Sequence, residues 1–337
     1  MLTERQSAIL DFIIGQYINS ATPVPSSSIA HKRTLKVSSA TVRNEMADLE
    51  EEGYITRRHI SGGGIPSDKG YRFYVETTPA QPSLTEEEEQ EIRRRFEEVK
   101  PDVELSTRIL TEILSMLVRN VAVATFPKAV QTRIRRVDLV ALQEALALVV
   151  LVLHETRTRQ RLVPLPAAVT QDELTTISNR LTATFGGATR DSLSSLPADL
   201  SPVERQVLSV TNEIMQEEDA RRFEEPHLSG LRHLLRQPEF SQSSRMRDLV
   251  DVLEDRNFLR ERLPGLMKGE QFRAVIGDEN EQDAMQECSI LLSRYGTPEG
   301  IGGLIAVIGP TRMEYRRSIS SVRLLSDLMT EMVGQLR

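Results

Sequence analysis

The sequence has a single cysteine, Cys288, and no tryptophan, and only 4% of its 337 residues are aromatic. A lone thiol excludes an intrachain disulfide and a cysteine-based zinc site, and such usage suits a reducing cytosol. Scarce aromatics leave little material for the stacking platforms that bind RNA or single strands. The longest apolar stretch, Ala145 to Leu153, is far short of the ~20 residues a membrane helix needs, and the charged start, Met1 to Gln6, has no secretory core behind it. The expectation is a cytoplasmic chain with no membrane partner. Solenoid-like self-similarity is absent. Positive charge is short too: 42 Lys and Arg face 49 Asp and Glu, a net −7. That excludes a wholly basic nucleic-acid coat but leaves room for one local DNA-binding module.

What is present is a globular composition, 39% apolar and 27% charged. At ~100–200 residues per domain, the length implies two or three domains. The first break is Thr77-Thr78-Pro79-Ala80-Gln81-Pro82-Ser83, whose prolines and small polar residues read as a linker over 77–83. It sets off residues 1–76, where acids balance bases but the signs segregate. Lys32, Arg33, Lys36 and Arg43 form one basic group, and Arg57, Arg58, Lys69 and Arg72 another.

Beyond the linker, Thr85 and Glu88 make a capping box for a solvated helix. A second helix is expected from Asp102, with Leu105, Ile109, Ile113, Leu117 and Val121 on one face. Branched apolar runs at Val137–Leu142, Ala145–His154 and Thr158–Pro164 predict strands. Helices are expected over 172–185, 202–218 and 245–263, strands over 272–276, 288–295 and 303–308, and a last helix over 316–336 striped by Val322, Leu325, Met329, Met332 and Leu336. Strands on both sides of a helical stretch make one α+β domain, 84–167 with 266–337, interrupted by a mainly helical insertion at 168–265.

The informative segment is the first. An apolar helix from Thr3 to Asn19 leads through Pro23-Val24-Pro25 to a short helix, Ser26 to His31. After the turn Lys32 to Lys36, Ser38 caps a helix whose buried stripe is Val42, Met46 and Leu49. Its other side carries Ser39, Ala40, Arg43, Asn44 and Ala47, small or hydrogen-bonding residues without an acid, which suit approach to base edges in a major groove. Gly53 ends it. Tyr54 to Ile60, a glycine tip at 61–64 and Ile65-Pro66 form a basic hairpin before another helix. The order is that of a winged helix-turn-helix. Its expected DNA-binding residues are Ser38, Ser39, Ala40, Thr41, Arg43 and Asn44 on the recognition helix, with Arg57, Arg58, His59, Ser61, Gly63, Lys69 and Arg72 in and after the wing. His59 is less secure there, and reads otherwise as a surface strand histidine.

On Val37 to Glu50, Ile65 to Tyr74 and Pro23-Val24, the chain resembles the HrcA family, bacterial heat-inducible transcription repressors, and more weakly so over its whole length, including Ile301 to Pro310. The resemblance implies a GAF-like body, a dimerising insertion, a homodimer on an inverted-repeat operator of double-stranded DNA upstream of chaperone operons, nucleoid association, and modulation by the GroE chaperonin. Two departures are that the family's arginines near Ser27 and at the wing tip are absent, with Gly64 at the latter. A homodimer is also suggested by the apolar surplus of the insertion and the Met-rich last helix. The linker would then let the two reading heads adjust their spacing.

Other features read more plainly. Gly62 to Gly64 lacks the Gly-Lys-Ser/Thr of a phosphate loop. His227 and His233 with Glu224 and Glu225 have some metal-like spacing, but the histidines are not an i,i+4 pair and a structural or surface role is expected; Cys288 suits a core strand, and Arg133, Arg135 and Arg136 suit a charged strand edge rather than an anion site. No metal, cofactor or catalytic residue is expected, since no hydrolase or zincin motif occurs, so the chain is not expected to be an enzyme. The alternative is a ligand-sensing regulator, which requires a polar pocket among the strands of the body. A filled apolar core there would count against it.

Overall fold

Thr3, Ser38, Thr85 and Thr170 each stand before a helix and accept a hydrogen bond from the backbone N–H three residues on. At Thr3, Thr85 and Thr170 the side chain three residues later (Gln6, Glu88, Glu173) accepts in turn from the cap's N–H, closing a capping box. The structure, a computed structural model, describes the chain except residues 1, 31–37, 58–61, 78–83, 99–102, 130–131, 155–157, 194–199, 221–225, 241–242, 297–300 and 336–337. Its contacts separate two compact units: Met1–Phe126 with Glu225–Tyr295 and Gly303–Met332, and Pro127–Glu224 with Gly296–Gly302 and Val333–Arg337.

The first unit begins with α1 (Glu4–Ser20), α2 (Ser26–Ala30) and α3 (Ser39–Glu51), which bury Ile9, Leu10, Ile13 and Ile14, then Ile29, then Val42, Met46 and Leu49. Gly53 turns the chain with φ +78°. Strand β1 (Ile55–Thr56) pairs antiparallel with β2 (Ile65–Pro66), and α4 (Asp68–Thr77) follows. Gly64 is not at a tip. It exchanges backbone hydrogen bonds of 2.8 and 2.9 Å with Val24, and Met46 Cε lies 3.0 Å from where its Cβ would stand.

Next come α5 (Glu86–Glu97) and α6 (Val103–Val118). The buried face of α6 differs from the expected stripe, since Leu105 is 43% exposed while Ser106, Thr107, Leu110, Thr111 and Leu114 are buried. Thr107 and Thr111 donate to the carbonyls four residues back, at 2.8 and 2.6 Å, so their hydroxyls are satisfied within the helix and tolerate burial. Val121, expected on that helix, opens strand β3 (Val121–Ala124) instead.

The second unit holds β4 (Lys128–Ala129), an antiparallel meander of β5 (Ile134–Gln143), β6 (Leu146–Leu153) and β7 (Thr158–Pro164), then α7 (Gln171–Phe185), α8 (Arg190–Leu193) and α9 (Pro202–Ala220). Alternation along β6 sends Ala147, Val149, Leu151 and Leu153 into a core with Leu174, Leu181, Val207 and Ile214 of the helices. Ser178 on α7 donates to the Val137 carbonyl at 2.5 Å, and Arg159 on β7 pairs with Glu218 on α9 at 2.8 Å. The sheet's other face carries Val140, Leu142 and Leu162, all exposed, around half-buried Leu146, Leu148, Val150 and Val152. Among the described residues no helix of this unit covers that face. The insertion thus lies elsewhere than expected: it is mixed α and β and spans 127–224, rather than helical over 168–265.

Returning to the first unit are β8 (His227–Ser229), α10 (Leu231–Leu234), α11 (Ser243–Glu254), a π-turn at Phe258–Arg262 leading to α12 (Leu263–Gly265), β9 (Phe272–Ile276), β10 (Cys288–Gly296), β11 (Ile301–Pro310) and α13 (Tyr315–Gly334). The helix expected over 245–263 breaks because Asp255 accepts from the Asn257 N–H at 2.9 Å, offering the backbone a turn in place of the next helical bond. The sheet runs β8-β3-β11-β10-β9. On one face Val121, Cys288, Ile290 and Ile308 meet Leu234, Phe240, Leu249 and Phe258, which is why residues 225–265 belong to this body. On the other, Ser289 of β10 lies 2.7 Å from the hydroxyl of Tyr315 at the start of α13. Val322, Leu325, Met329 and Met332 of the expected stripe are buried and Leu336 lies outside the described residues, so among the described residues the last helix offers no apolar surplus for a partner chain. Burial and the nearby Glu287 and Glu239 carboxylates push the Cys288 thiol up to about 12. Iodoacetamide at pH 8 should therefore leave native Cys288 unmodified and alkylate it fully only after unfolding. Mass spectrometry reads the difference, and rapid native labelling would contradict the buried placement.

Candidate nucleic-acid interface

Ser38 fixes the start of α3 by accepting from the Thr41 N–H at 3.1 Å, and its Oγ lies 2.9 Å from Thr41 Oγ1. The cap leaves Ser39 and Ala40 exposed on the first turn, whose free N–H groups and dipole favour an anion. Val42, Met46 and Leu49 face the core, so Arg43, Asn44 and Ala47 face out. Neither Arg43 nor Asn44 makes a side-chain hydrogen bond or ion pair with any described residue. The second half of α3 is acidic, with Asp48, Glu51 and Glu52 exposed. Phosphate is therefore repelled at the C-terminal end and tolerated at the N-terminal end.

The wing side chains are placed differently from one another. Arg57, expected at phosphate, donates through Nε to Glu50 at 2.8 Å and its side chain is 9% exposed. It ties the strand to α3. Lys69 donates to the Glu52 carbonyl at 2.6 Å and lies 4.3 Å from the Tyr54 ring centroid, so it closes the C-terminal end of α3. Gly63 is packed against the Pro23 backbone. Arg58, His59 and Ser61 lie outside the described residues. The structure thus brings Ser38, Ser39, Ala40, Thr41, Arg43 and Asn44 onto one half-helix.

Arg72 is turned to the opposite side of the head. Its Nε donates to Glu279 at 2.9 Å and its Nη2 to the Ala274 carbonyl at 2.8 Å, with a further bond to the second Glu279 oxygen. Sequence reasoning placed Arg72 at DNA because it follows the wing; the helix rotation of α4 sends it to β9 and the turn after it. Beside it Asp68 accepts from the Asp278 N–H at 2.9 Å. Burial raises the Asp68 carboxyl above its ordinary range, offset in part by that hydrogen bond. Gly277, at φ +53°, allows the two parts to approach, since a Cβ there would fall on the Asp68 carboxylate. Tyr315 completes the contact, its ring centroid 5.6 Å from Tyr71 and 6.4 Å from Tyr74. Arg312, paired with Glu239, donates to the Ile18 carbonyl near the end of α1 at 3.1 Å. Apart from Arg72, which the sequence assigns to DNA, none of these docking residues is legible as functional. The only sequence signal was a polar turn, Gly277 to Asn280, directly after a strand.

Elsewhere the chemistry is bland. His227 and His233 both have lowered imidazole pKa values through desolvation and nearby arginines, and no cluster of three potential metal ligands occurs among the described residues. Arg133 donates to the Gly187 carbonyl and Arg136 pairs with Asp138. The core between the body sheet and α10–α12 is filled by apolar side chains. An open cleft of about 330 Å³, lined by Ser115, Ser229, Arg232 and His233 among others, lies at the β8–α10 turn, where Leu228 and Leu231 border that core. No helix among the described residues is long and apolar enough to cross a membrane.

Comparison with known proteins places these features. Over its full length the chain is 39% identical to the heat-inducible transcription repressor HrcA of Dehalococcoides mccartyi, covering 97% of that protein. It is 35% identical to that of Herpetosiphon aurantiacus, with 99% of this chain and 96% of the relative covered. A crystal structure described as that of a hypothetical protein shares the fold at TM-score 0.62 and 21% identity, with 100% of both chains covered. The class is that of transcription repressors, which are not enzymes. The family model for the HrcA protein C terminal domain matches residues 108–319, and the chain belongs to the HrcA family of heat-inducible repressors.

Proposed function

We propose that the chain represses chaperone operons by binding an inverted-repeat DNA operator as a homodimer, with residues 1–76 as a winged helix-turn-helix and the N-terminal half of α3 in the major groove. One observation carries this reading: Arg43 and Asn44 stand exposed and, among the described residues, unengaged on the one half of a capped helix that is free of acids. Arg is suited to guanine and Asn to adenine in that groove. Arg43→Ala and Asn44→Ala should each weaken specific operator binding by ~1–3 kcal/mol without changing the melting temperature. Mobility shifts on operator and random DNA decide it, since an equal loss on both would leave only phosphate contact.

The second half of the proposal is the dimer. Val140, Leu148 and Leu162 stand side by side across the three strands of the insertion, an apolar row facing outward. An isologous pair of such faces would bury it. The site of action is the cytoplasm, at the nucleoid, and the GroE chaperonin is the modulator the family resemblance suggests. Adding chaperonin to the same mobility shift tests that part. The filled core of the body speaks against a small-molecule sensor.

A further inference from the structure

We propose that the contact between α4 and the sheet is a clamp that fixes the orientation of the reading head, and that Arg72 is thereby the positioning residue for operator half-site spacing. The inference rests on the dimeric, inverted-repeat reading given above. Three separate attachments hold the head: Arg72 to Glu279 and the Ala274 carbonyl, Asp68 to the Asp278 N–H, and Arg312 to the Ile18 carbonyl. They come from the start and middle of α4 and from the far end of α1, so a swing that keeps one breaks another. Between them Tyr71 and Tyr74 are buried against Tyr315, which is 1% exposed. A head held only by its linker would not bury its own tyrosines in the body.

The clamp also leaves the reading surface free. It uses α4 and the end of α1, whereas Ser39, Ala40, Arg43, Asn44 and Ala47 of α3 remain exposed. Docking is therefore compatible with reading DNA, and its effect is on where the helix points rather than on whether it is accessible. The adjustable spacing first expected of the linker is replaced by a spacing set in the body. Glu279 is itself held in place by accepting from the Ile276 N–H at 3.0 Å, so the carboxylate that receives Arg72 is preorganised. Bonds of this charged kind shift a docked–undocked equilibrium by about ten- to a hundredfold when removed.

The test is a series of operators in which the two half-sites are moved apart in single base pairs, through about 5 base pairs, which puts the second half-site on the opposite side of the duplex. Full-length wild type, Arg72→Gln, Glu279→Gln and the exchanged pair Arg72→Glu with Glu279→Arg are compared by mobility shift. Wild type should discriminate sharply against altered spacing. Either single variant should bind the altered operators relatively better, narrowing the native-to-altered affinity ratio by about tenfold, and the exchanged pair should restore part of it. A merely structural loss would weaken every operator alike and leave that ratio unchanged. An unchanged ratio in both single variants, with wild type still discriminating, overturns the clamp alone. A wild type that binds one half-site as well as two removes the dimeric reading and the clamp with it.

Discussion

Tyr315→Ala should destabilise the chain by ~3–5 kcal/mol and separate the unfolding of the head from that of the body. The ring is fully enclosed, with its hydroxyl 2.7 Å from Ser289 Oγ and donating to the Thr311 carbonyl at 2.6 Å. Burial also drives the phenol far above its ordinary pKa. Removing it leaves a void where two tyrosines of α4 meet the sheet, so the damage falls on the joint between parts that otherwise unfold together. Tyr315→Phe is the control, costing only about 1 kcal/mol for the hydroxyl's bonds. Calorimetry should show one main transition for the first unit in Tyr315→Phe and two in Tyr315→Ala. A single, barely shifted transition in Tyr315→Ala would mean that the tyrosine cluster does not couple them.

Leu148→Asp should convert the proposed dimer to a monomer. Leu148 sits mid-strand between Val140 and Leu162 on the outward face, and its neighbours on the inward face, Ala147 and Val149, are untouched by the change. A carboxylate at the centre of two apposed apolar sheets would be buried without a partner, which few interfaces survive. Losing the second head removes a linked binding event worth ~10²–10⁴ in apparent affinity. Sedimentation at micromolar protein and operator titration measure both effects, and a variant that stays dimeric places the interface elsewhere.

Local rules made much of the chain legible. The cap at Ser38, the capping boxes at Thr3, Thr85 and Thr170, and the stripe Val42, Met46, Leu49 are short-range devices written within a few residues. The overall α+β class followed from alternating blocks of strand and helix character. What was hidden depends on distant partners. Strand β3 is four small apolar residues that continue a helical pattern, and only pairing with β8 and β11 makes it a strand. The insertion boundary was misplaced because β5 to β7 look the same whether they join the body sheet or form their own. At the candidate interface, the half-helix from Ser38 to Asn44 was readable because exposure on a helix follows from periodicity. Arg57, Lys69 and Arg72 were not, because a basic side chain near a wing can turn to Glu50, to the Glu52 carbonyl or to Glu279, and spacing alone does not choose.

The bonding of those three cations to the protein's own groups bears on how the proposed repressor would search for its site. Each cation that neutralises a phosphate releases condensed counterions, and this release is what holds a protein on arbitrary sequence. With Arg57, Lys69 and Arg72 each bonded to a group of the protein itself and a formal charge of −7 overall, the proposed repressor would feel only a small long-range pull toward any duplex. On the proposed reading it would spend little time sliding along unrelated DNA. It would move between segments through solution, with residence at an operator set by the fit of two correctly aimed helices rather than by electrostatic capture.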